Sequence, residues 1–384
     1  MKKGWHLTVV VMAMAFLIGL NIVGIMPVLS MIADKYPDRS TGTVQLLQTI
    51  HYALLIVGSL SVGFLASRFS EKKVVLAGTL IIGVSGILPF FIESFVLLFA
   101  CRILIGMGFG IVSPMITAVI TKFSIPEKRA GYMGLNVVAM GISGMVGNLI
   151  GGMLAKNGLR YFFLIYLMVI VCGILIIMYL PDTAPATGQA KSATGSLKPI
   201  VFALSTMTFL HAIFITAYST NISLFITAHV TSDPGASGLA TAVNALCAMI
   251  LGMFFSKVLN FLKRASLPSA AFMAALGFGA ILLIPGMPGI LICSGLCGMS
   301  LSCSNAAGAY MVSVSVKPEE VAGASGIYSV FNSIGGLIAP FILGGAAAVM
   351  GGNTPDHQFI AAFVGMLALG VGIAAFIFSR PMPE

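Results

Sequence analysis

The chain has 384 residues, of which 58% are hydrophobic and only 8% are Asp, Glu, Lys or Arg. A soluble globular domain carries about 25% charged residues, so this composition cannot build a water-facing surface. The mean hydropathy of +1.06 indicates instead that the apolar surface faces a lipid bilayer. The net charge of +9 comes from basic residues scattered through short polar breaks, which argues against a nucleic-acid-binding protein.

Apolar segments of about 20 residues recur between the polar breaks, as helices that cross a hydrocarbon layer about 30 Å thick require. The first run is too long for the apolar core of a cleavable signal peptide, so we predict that it is the first membrane helix. The twelve predicted helices span residues 7–29, 43–66, 74–92, 95–119, 131–154, 161–180, 199–224, 237–256, 267–285, 289–315, 322–350 and 358–379.

The positions of Lys and Arg predict the orientation, because these residues resist translocation when they lie in short loops. With both termini cytoplasmic, fifteen basic residues lie in inner loops and four in outer loops, while Arg102 lies inside a predicted helix. The count supports an even number of helices. We therefore expect a multi-pass protein of the plasma membrane with both ends in the cytoplasm.

The longest polar stretch lies near the middle of the chain and predicts a cytoplasmic linker over residues 181–198. It separates an N-terminal six-helix bundle, 1–180, from a C-terminal one, 199–384. The sequence Pro-Glu-x-x-Ala-Gly begins at Pro126 and again at Pro318, an offset of 192 that Gly144 and Gly336 also keep. We predict an all-α membrane protein with twelve transmembrane helices in two pseudo-symmetric bundles.

The cysteines give no sign of a metal site. All six lie in apolar runs, without His or acidic residues at ligand spacing. Cys293 and Cys297 would share a helical face, but packed free thiols are the more common arrangement in lipid-buried sequence. Because the sequence also lacks a phosphate-binding P-loop and a Ser-His-Asp set, we predict no cofactor and no enzymatic activity.

Three motifs resemble signatures of the major facilitator superfamily, whose members have two six-helix halves. GFLASRFSEKK at 63–73 is similar to the signature between helices 2 and 3, with Ser67 where Asp is usual. RILIGMG, starting at Arg102, resembles the helix 4 signature of the drug and metabolite efflux branch. GNLIGG at 147–152 resembles the antiporter signature of helix 5, with Asn148 in place of Pro. The segment 24–29, GIMPVL, is also similar to that branch.

The resemblance implies a monomeric transporter that exports a small organic molecule by alternating access, with its substrate site between the halves near the middle of the membrane. It also implies a conformational latch formed by Gly63, Ser67 and Arg68 at the loop between helices 2 and 3. In this latch, Arg68 would pair with a nearby carboxylate.

Polar residues inside predicted spans are the main candidates for the substrate or coupling site, because each costs free energy in lipid. Arg102 lies about 10 Å from the outer end of its helix at 1.5 Å per residue. Asn21 and His51 reach a comparable depth, and Gln48 and Tyr52 follow a helical spacing beside His51. The second half adds His211, Tyr218, Asn221, Asn244, Asn305, Tyr310, Tyr328 and Asn332.

No Asp or Glu lies inside a predicted span, which argues against export of cations and favours neutral or anionic substrates. Any proton coupling would then run through His51, His211 or displacement at Arg102. Uptake or exchange of an organic anion bound by Arg102 is an alternative. A second alternative is a membrane sensor or assembly protein that keeps the fold without transport, and such a protein would not need polar groups at mid-membrane.

Overall fold

The computed structural model describes residues 4–182, 199–315 and 321–378. These residues form helices and connecting loops, with no strand among them. Eleven of the described helices are long and apolar enough to cross a membrane, and the shorter apolar stretch Trp5–Leu20 lies in the first predicted span. The all-α fold class is confirmed. The predicted linker, from residue 183 onward, lies outside the described residues.

We number the membrane helices 1 to 12 in chain order. Helices 1, 2 and 6 consist of more than one helical segment. The bounds are Gly4–Val23 for helix 1, followed by the turn Met26–Val28 and the segment Leu29–Lys35; Thr41–Thr49 and His51–Arg68 for helix 2; Glu71–Phe91, Phe95–Phe123 and Pro126–Ala155 for helices 3 to 5; Leu159–Phe162, Phe163–Tyr166 and Leu167–Tyr179 for helix 6; and Pro199–His229, Pro234–Met253, Ser266–Leu283, Met287–Ser315, Val321–Val349 and Pro355–Phe378 for helices 7 to 12.

Helix 1 differs from its predicted continuous span of 7–29. It ends at Val23, and the chain passes through Gly24 at a φ of 58° before it resumes as a short turn and a second helical segment. Glycine reaches this left-handed region without the steric cost that a Cβ imposes. Pro27 follows in the short turn, where its fixed φ is compatible with the first residues of a helix. The apolar sequence therefore hides a break in helix 1.

Helix 5 begins five residues earlier than its predicted start at 131. Pro126 is its first residue, a position where the missing N–H of proline is not needed. The charged residues of this first turn are typical of a loop by composition, which is why hydropathy alone placed the start too late. Helix 8 ends at Met253, and the short helix Phe255–Leu262 follows it.

Two hydrophobic cores organise the molecule. One runs from Leu7 to Leu180, and the other from Val201 to Ile373 with Met26 added from helix 1. The division into bundles 1–180 and 199–384, with its boundary in the linker, stays a prediction. We call the ends of the helices that carry the helix 2–3 loop the linker end. The opposite end, with loops 36–40, 230–233 and 350–354, is the distal end, which the predicted topology places outside.

Glycine contacts repeat between the halves. A Cβ added at Gly106 of helix 4 would overlap the carbonyl of His51 in helix 2. At the same offset of 192, a Cβ on Gly298 of helix 10 would overlap the carbonyl of Asn244 in helix 8. Small residues let membrane helices approach closely, so these paired glycines fix equivalent helix crossings in both halves.

Candidate functional site

Arg102 is fully enclosed in the first half. Its side chain is 1% exposed, and its Nε donates to the backbone oxygen of Leu47 in helix 2 at 3.1 Å. Its Nη1 and Nη2 have no hydrogen-bond partner among the described residues. None of the carboxylates in the described ranges forms a salt bridge with it. Arg102 is therefore a buried cation that depends on groups other than acids.

The break in helix 1 supplies part of this compensation. Nη2 of Arg102 packs so closely on Gly24 that an added Cβ there would lie 2.5 Å away. Helix 1 ends at Val23, and the last carbonyls of a helix carry a partial negative charge because they lack intrahelical partners. A helix end thus takes the place of a carboxylate beside the guanidinium.

The structure places His51 and Tyr52 beside Arg102; residue counting gives a comparable depth for His51, whereas Tyr52 is a candidate by its helical spacing. Their rings lie 4.2 Å apart between centroids, and both residues are close enough to interact electrostatically with the guanidinium. His51 is buried, with Nδ1 2.9 Å from the backbone oxygen of Gln48. Gln48 is buried one turn earlier in helix 2. The side chain of Asn21 lies outside the described residues, so its predicted place beside Arg102 stays a prediction.

Sequence reasoning missed Tyr166. This buried residue ends the 3-10 turn of helix 6, and its hydroxyl interacts electrostatically with Arg102 without a hydrogen bond of normal geometry to Nη1 or Nη2. Tyr166 follows an aromatic run that begins at Tyr161, and such a run is typical of packing. Its depth close to the end of helix 1 was the signal that could have identified it.

Two candidates of the second half, His211 and Tyr218, form hydrogen bonds with serines of that same half. Nε2 of His211 lies 3.0 Å from Oγ of Ser300, and Ser300 in turn donates to a helix 9 carbonyl at 2.6 Å. The hydroxyl of Tyr218 donates to Oγ of Ser294 at 2.9 Å. The side chains of His211 and Tyr218 are buried, so the packing favours structural roles for both.

Two further candidates make similar contacts in the second half. The amide of Asn244 donates to the backbone oxygen of Ser294 at 2.9 Å. The buried hydroxyl of Tyr328 donates to the backbone oxygen of Ser304 at 3.2 Å. Each bond joins neighbouring helices, which is consistent with a role in holding helices 8, 10 and 11 together.

Asn221 lies near the distal end, in an amide cluster formed by Gln45, Asn221 and Gln358. Nε2 of Gln45 donates to Oδ1 of Asn221 at 2.6 Å, and Nδ2 of Asn221 donates to Oε1 of Gln358 at 2.8 Å. Gln45 and Gln358 also exchange bonds of 3.1 and 3.2 Å. All three side chains are fully buried. The amide cluster therefore joins helix 2 of the first half to helices 7 and 12 of the second.

A serine cluster of Ser30, Ser223 and Ser237 makes a second connection at this end. The hydroxyls of Ser30 and Ser223 lie 2.9 Å apart, and Ser223 also donates to the backbone oxygen of Pro27 at 3.2 Å. Ser237 donates to Ser223 at 3.3 Å. The segment of helix 1 that follows the break is thereby attached to helices 7 and 8.

An exposed ion pair completes the distal contacts. Nζ of Lys156 lies 2.9 Å from Oδ2 of Asp233, which also caps helix 8 by accepting from the backbone N–H of Gly235. The hydrogen bond from Lys156 holds the pKa of the Asp233 carboxyl below its usual range. Both side chains are about half exposed, so solvent screens the pair and it contributes little to stability.

Asn305, Asn332 and Tyr310 behave differently from the other candidates. Asn305 and Tyr310 are exposed although they lie in helix 10, and Nδ2 of Asn332 in helix 11 donates to Oδ1 of Asn305 at 3.0 Å. Asn305 precedes the last residue of helix 10 by ten residues, and Asn332 follows the first of helix 11 by eleven. Both are thus about 15 Å from the linker end at 1.5 Å per residue.

The predicted latch lies at the linker end. The surroundings of Gly63 and the side chain of Ser67 lie outside what the structure describes, so their part in the latch stays a prediction. Arg68 is exposed, and its guanidinium carbon lies 4.2 Å from the centroid of the Phe64 ring, whereas the expected partner was a carboxylate. Nearby, the buried Glu71 pairs with Lys122 of helix 4 at 2.5 Å, a contact that the sequence did not indicate.

Comparison with known proteins decides the family. The sequence pattern of the Major Facilitator Superfamily matches residues 11–205 and 204–384. The chain belongs to this superfamily. It is thus an integral membrane protein, embedded in a lipid bilayer. Members of this family are transporters rather than enzymes, and their substrates are small molecules.

Two relatives are named for multidrug resistance and multidrug efflux. The chain is 22% identical to Multidrug resistance protein 2 of Bacillus subtilis (strain 168) over 207 residues, which are 50% of this chain and 52% of that protein. It is 26% identical to Multidrug efflux pump SdrM of Staphylococcus aureus (strain N315) over 146 residues, 37% of this chain and 32% of that one. The matches thus cover about half or less of these relatives.

A solved structure agrees with the fold over nearly the whole chain. A bacterial homolog to the human lysosomal transporter Spinster, in an inward-facing and occupied conformation, superimposes with a TM-score of 0.72 at 16% identity. The superposition covers 97% of this chain and 95% of that chain. At this identity the similarity establishes the fold alone.

Proposed function

We propose that the chain is a secondary active transporter that exports a small organic molecule by alternating access between its two halves. The polar contacts at the distal end carry this proposal. The amide cluster and the serine cluster join the halves through hydrogen bonds that are mostly uncharged and buried. Uncharged bonds between buried groups can close a gate and later exchange for water at modest cost.

The predicted topology makes the distal end the outer face. A transporter that is closed there is open to, or loads from, the cytoplasmic side, which is the side where an exporter takes up its substrate. The name of the Staphylococcus aureus relative, a multidrug efflux pump, supports this direction. Both the direction and the plasma-membrane location are part of the proposal.

The exposed amide of Asn305 on helix 10 and the partly exposed amide of Asn332 on helix 11 support a substrate site for molecules that form hydrogen bonds. Polar groups at mid-membrane depth almost always face a bundle interior or a water-filled cavity. We therefore place Asn305, Asn332 and Tyr310 at the substrate path. The same exposure counts against a sensor or assembly protein without transport, which has no use for polar groups there.

The substrate is neutral or anionic in this proposal. Among the described residues the acids of the membrane helices lie in terminal turns, such as Asp34 near the end of helix 1, Glu71 in the first turn of helix 3 and Asp356 in the first turn of helix 12. A cationic substrate would therefore lack a buried counter-charge. The organic-anion alternative keeps specific support from the unpaired Nη1 and Nη2 of Arg102.

Arg102 and His51 are assigned to coupling rather than to direct substrate contact. Their contacts come from helices 1, 2, 4 and 6 of the first half, and both side chains are buried. Protons as the coupling ion are part of the proposal. Among the described residues, His51 is a histidine that interacts electrostatically with Arg102 and could exchange a proton.

Transport in proteoliposomes tests the function. Purified protein is reconstituted, a panel of neutral and anionic solutes is loaded, and flux is followed with and without an imposed pH gradient. Asn305→Leu and Asn332→Leu should reduce flux of the transported solute, while Ser329→Ala, an exposed position on helix 11, serves as the matched control. Unchanged flux in both asparagine variants would remove this site, and absence of flux for the whole panel would contradict the transport proposal.

A further inference from the structure

A small cavity lies inside the first half, at the break in helix 1. The volume open to the centre of a water molecule in this cavity is about 10 Å³. Its walls come from helices 1, 5 and 6. The lining residues are Leu20, Gly24, Gly144, Gly147, Asn148, Phe162, Ile165 and Tyr166.

Asn148 brings an unsatisfied donor to this cavity. Its side chain is 2% exposed, and its Nδ2 has no hydrogen-bond partner among the described residues. A buried amide left without a partner has lost its hydrogen bonds to water without replacement, so native proteins rarely leave one. Asn148 stands where the resembling helix 5 signature has Pro, and that residue would bring no such donor.

Arg102 lies just behind two of the lining residues. Its Nη2 packs on Gly24, and its guanidinium interacts electrostatically with Tyr166. Nη1 and Nη2 also lack a hydrogen bond of normal geometry among the residues that the structure describes. Asn148 and Tyr166 are therefore the polar side chains in a lining that is otherwise glycine or apolar, and the guanidinium of Arg102 lies behind it.

We propose that this cavity is a binding site for one ordered water molecule. The water accepts a hydrogen bond from Nδ2 of Asn148 and bonds to the hydroxyl of Tyr166, which adjoins Arg102. A buried water needs two to four polar partners and a cavity of about 10–15 Å³ for its centre, and both conditions are met. An anion such as chloride is larger than water and would lie beside the negative end of helix 1.

The water joins helix 5 to the hinge of helix 1. Beyond Gly24, the same helix carries the Pro27 oxygen and Ser30, which contact Ser223 in the other half. The amide of Asn148 is thus connected, through the water and Tyr166, to the break at Gly24, where the distal segment of helix 1 begins to diverge.

Radiolytic footprinting with mass spectrometry tests the site in the full chain reconstituted in nanodiscs. Hydroxyl radicals formed from a bound water oxidise the side chains beside it, even when bulk solvent cannot reach them. We expect Tyr166, Phe162 and Leu20 to be oxidised well above the fully buried Phe278 and Phe359, which lie away from this cavity. In ¹⁸O-labelled water, the added oxygen should carry the label more slowly than at exposed residues.

Asn148→Leu removes the donor and fills the cavity, so it should lower oxidation at Tyr166 to the level of Phe278. Asn148→Ser keeps a polar group and should retain the oxidation, which separates water binding from a general change of packing. Monodisperse elution and an unchanged oxidation pattern elsewhere show that each variant is folded. Equal oxidation of Tyr166 and Phe278 in the parent protein, no effect of Asn148→Leu, or oxidation that falls with added chloride would overturn the proposal.

Discussion

The amide cluster gives a quantitative prediction for the distal gate. Gln45→Met keeps the length of the side chain but removes its donors. Gln358 would keep its bonds to Asn221 and Asn353, so the main orphan is Oδ1 of Asn221, whose partner in the structure is Gln45. An unsatisfied buried acceptor costs about 1–3 kcal/mol.

This cost arises only in the distal-closed state, because water reaches Asn221 once the halves separate there. The variant should therefore shift the equilibrium toward the distal-open state by about 5- to 150-fold. The shift can be measured as the rate at which an impermeant maleimide labels Ser237→Cys in a background without the six native cysteines. Ser237 is 2% exposed in the closed structure and lies in the first turn of helix 8.

A triple variant provides the matched control. Gln45→Met combined with Asn221→Leu and Gln358→Met removes every side-chain amide of the cluster, so no donor or acceptor is left buried without a partner. Labelling should return toward the parent rate. The reasoning is refuted if Gln45→Met labels at the parent rate, or if the triple variant labels faster than the single one.

Four further predictions follow from other contacts. Arg102→Ala should abolish transport while the protein still reaches the membrane, and normal flux in this variant would exclude a coupling role. Arg102→Lys keeps the charge but loses the planar guanidinium, so it separates bidentate binding from the effect of charge alone. Gly24→Ala should lower the unfolding temperature, because a left-handed φ costs about 1–2 kcal/mol with a Cβ and the Cβ meets Arg102; an unchanged Tm contradicts the hinge. The lowered pKa of Asp233 means that its pairing with Lys156 is complete above the ordinary carboxyl pKa and is lost as pH falls through the lowered value. The labelling rate at the distal end should therefore stay constant from about pH 5 to 8, where carboxylates at or below their ordinary pKa remain ionised. A change of rate in this range that Asp233→Asn removes would show that the pair matters more than its exposure suggests. A cysteine that replaces Gln189 in the predicted cytoplasmic linker should not react with impermeant reagents in intact cells. Reaction there would overturn the predicted orientation.

Hydropathy was enough to find the fold because every spanning helix must be apolar over its length, whatever its neighbours are. It could not find the break in helix 1. Gly24 and Pro27 lie in an apolar run, and the φ of Gly24 is decided by the guanidinium and the second half packing around it. The start of helix 5 at Pro126 was missed for the opposite reason, since its first turn is polar.

Depth along a helix follows from residue counting, whereas direction around the axis and the identity of the facing helix do not. Counting placed His51 level with Arg102, and the structure brings them together. The same reasoning could not separate Asn221, which bonds across the halves at the distal end, from Tyr218 one turn earlier, which bonds within its own half. Gln358 went unnoticed because it lies in the first turn of helix 12, close to the polar loop.

The two halves share a scaffold but differ in their polar chemistry at one repeated position. Arg102 and Ser294 are related by the offset of 192 that also relates Gly106 and Gly298. In the first half the cation packs against a broken helix 1, whereas in the second Ser294 accepts from Tyr218 of an unbroken helix 7. A continuous helix resists bending, whereas a break with a positive φ allows the chain to bend at that one residue. Since the segment after the break carries the serine contacts to the other half, we expect the distal gate to open by movement of that segment rather than by an equal deformation of both halves.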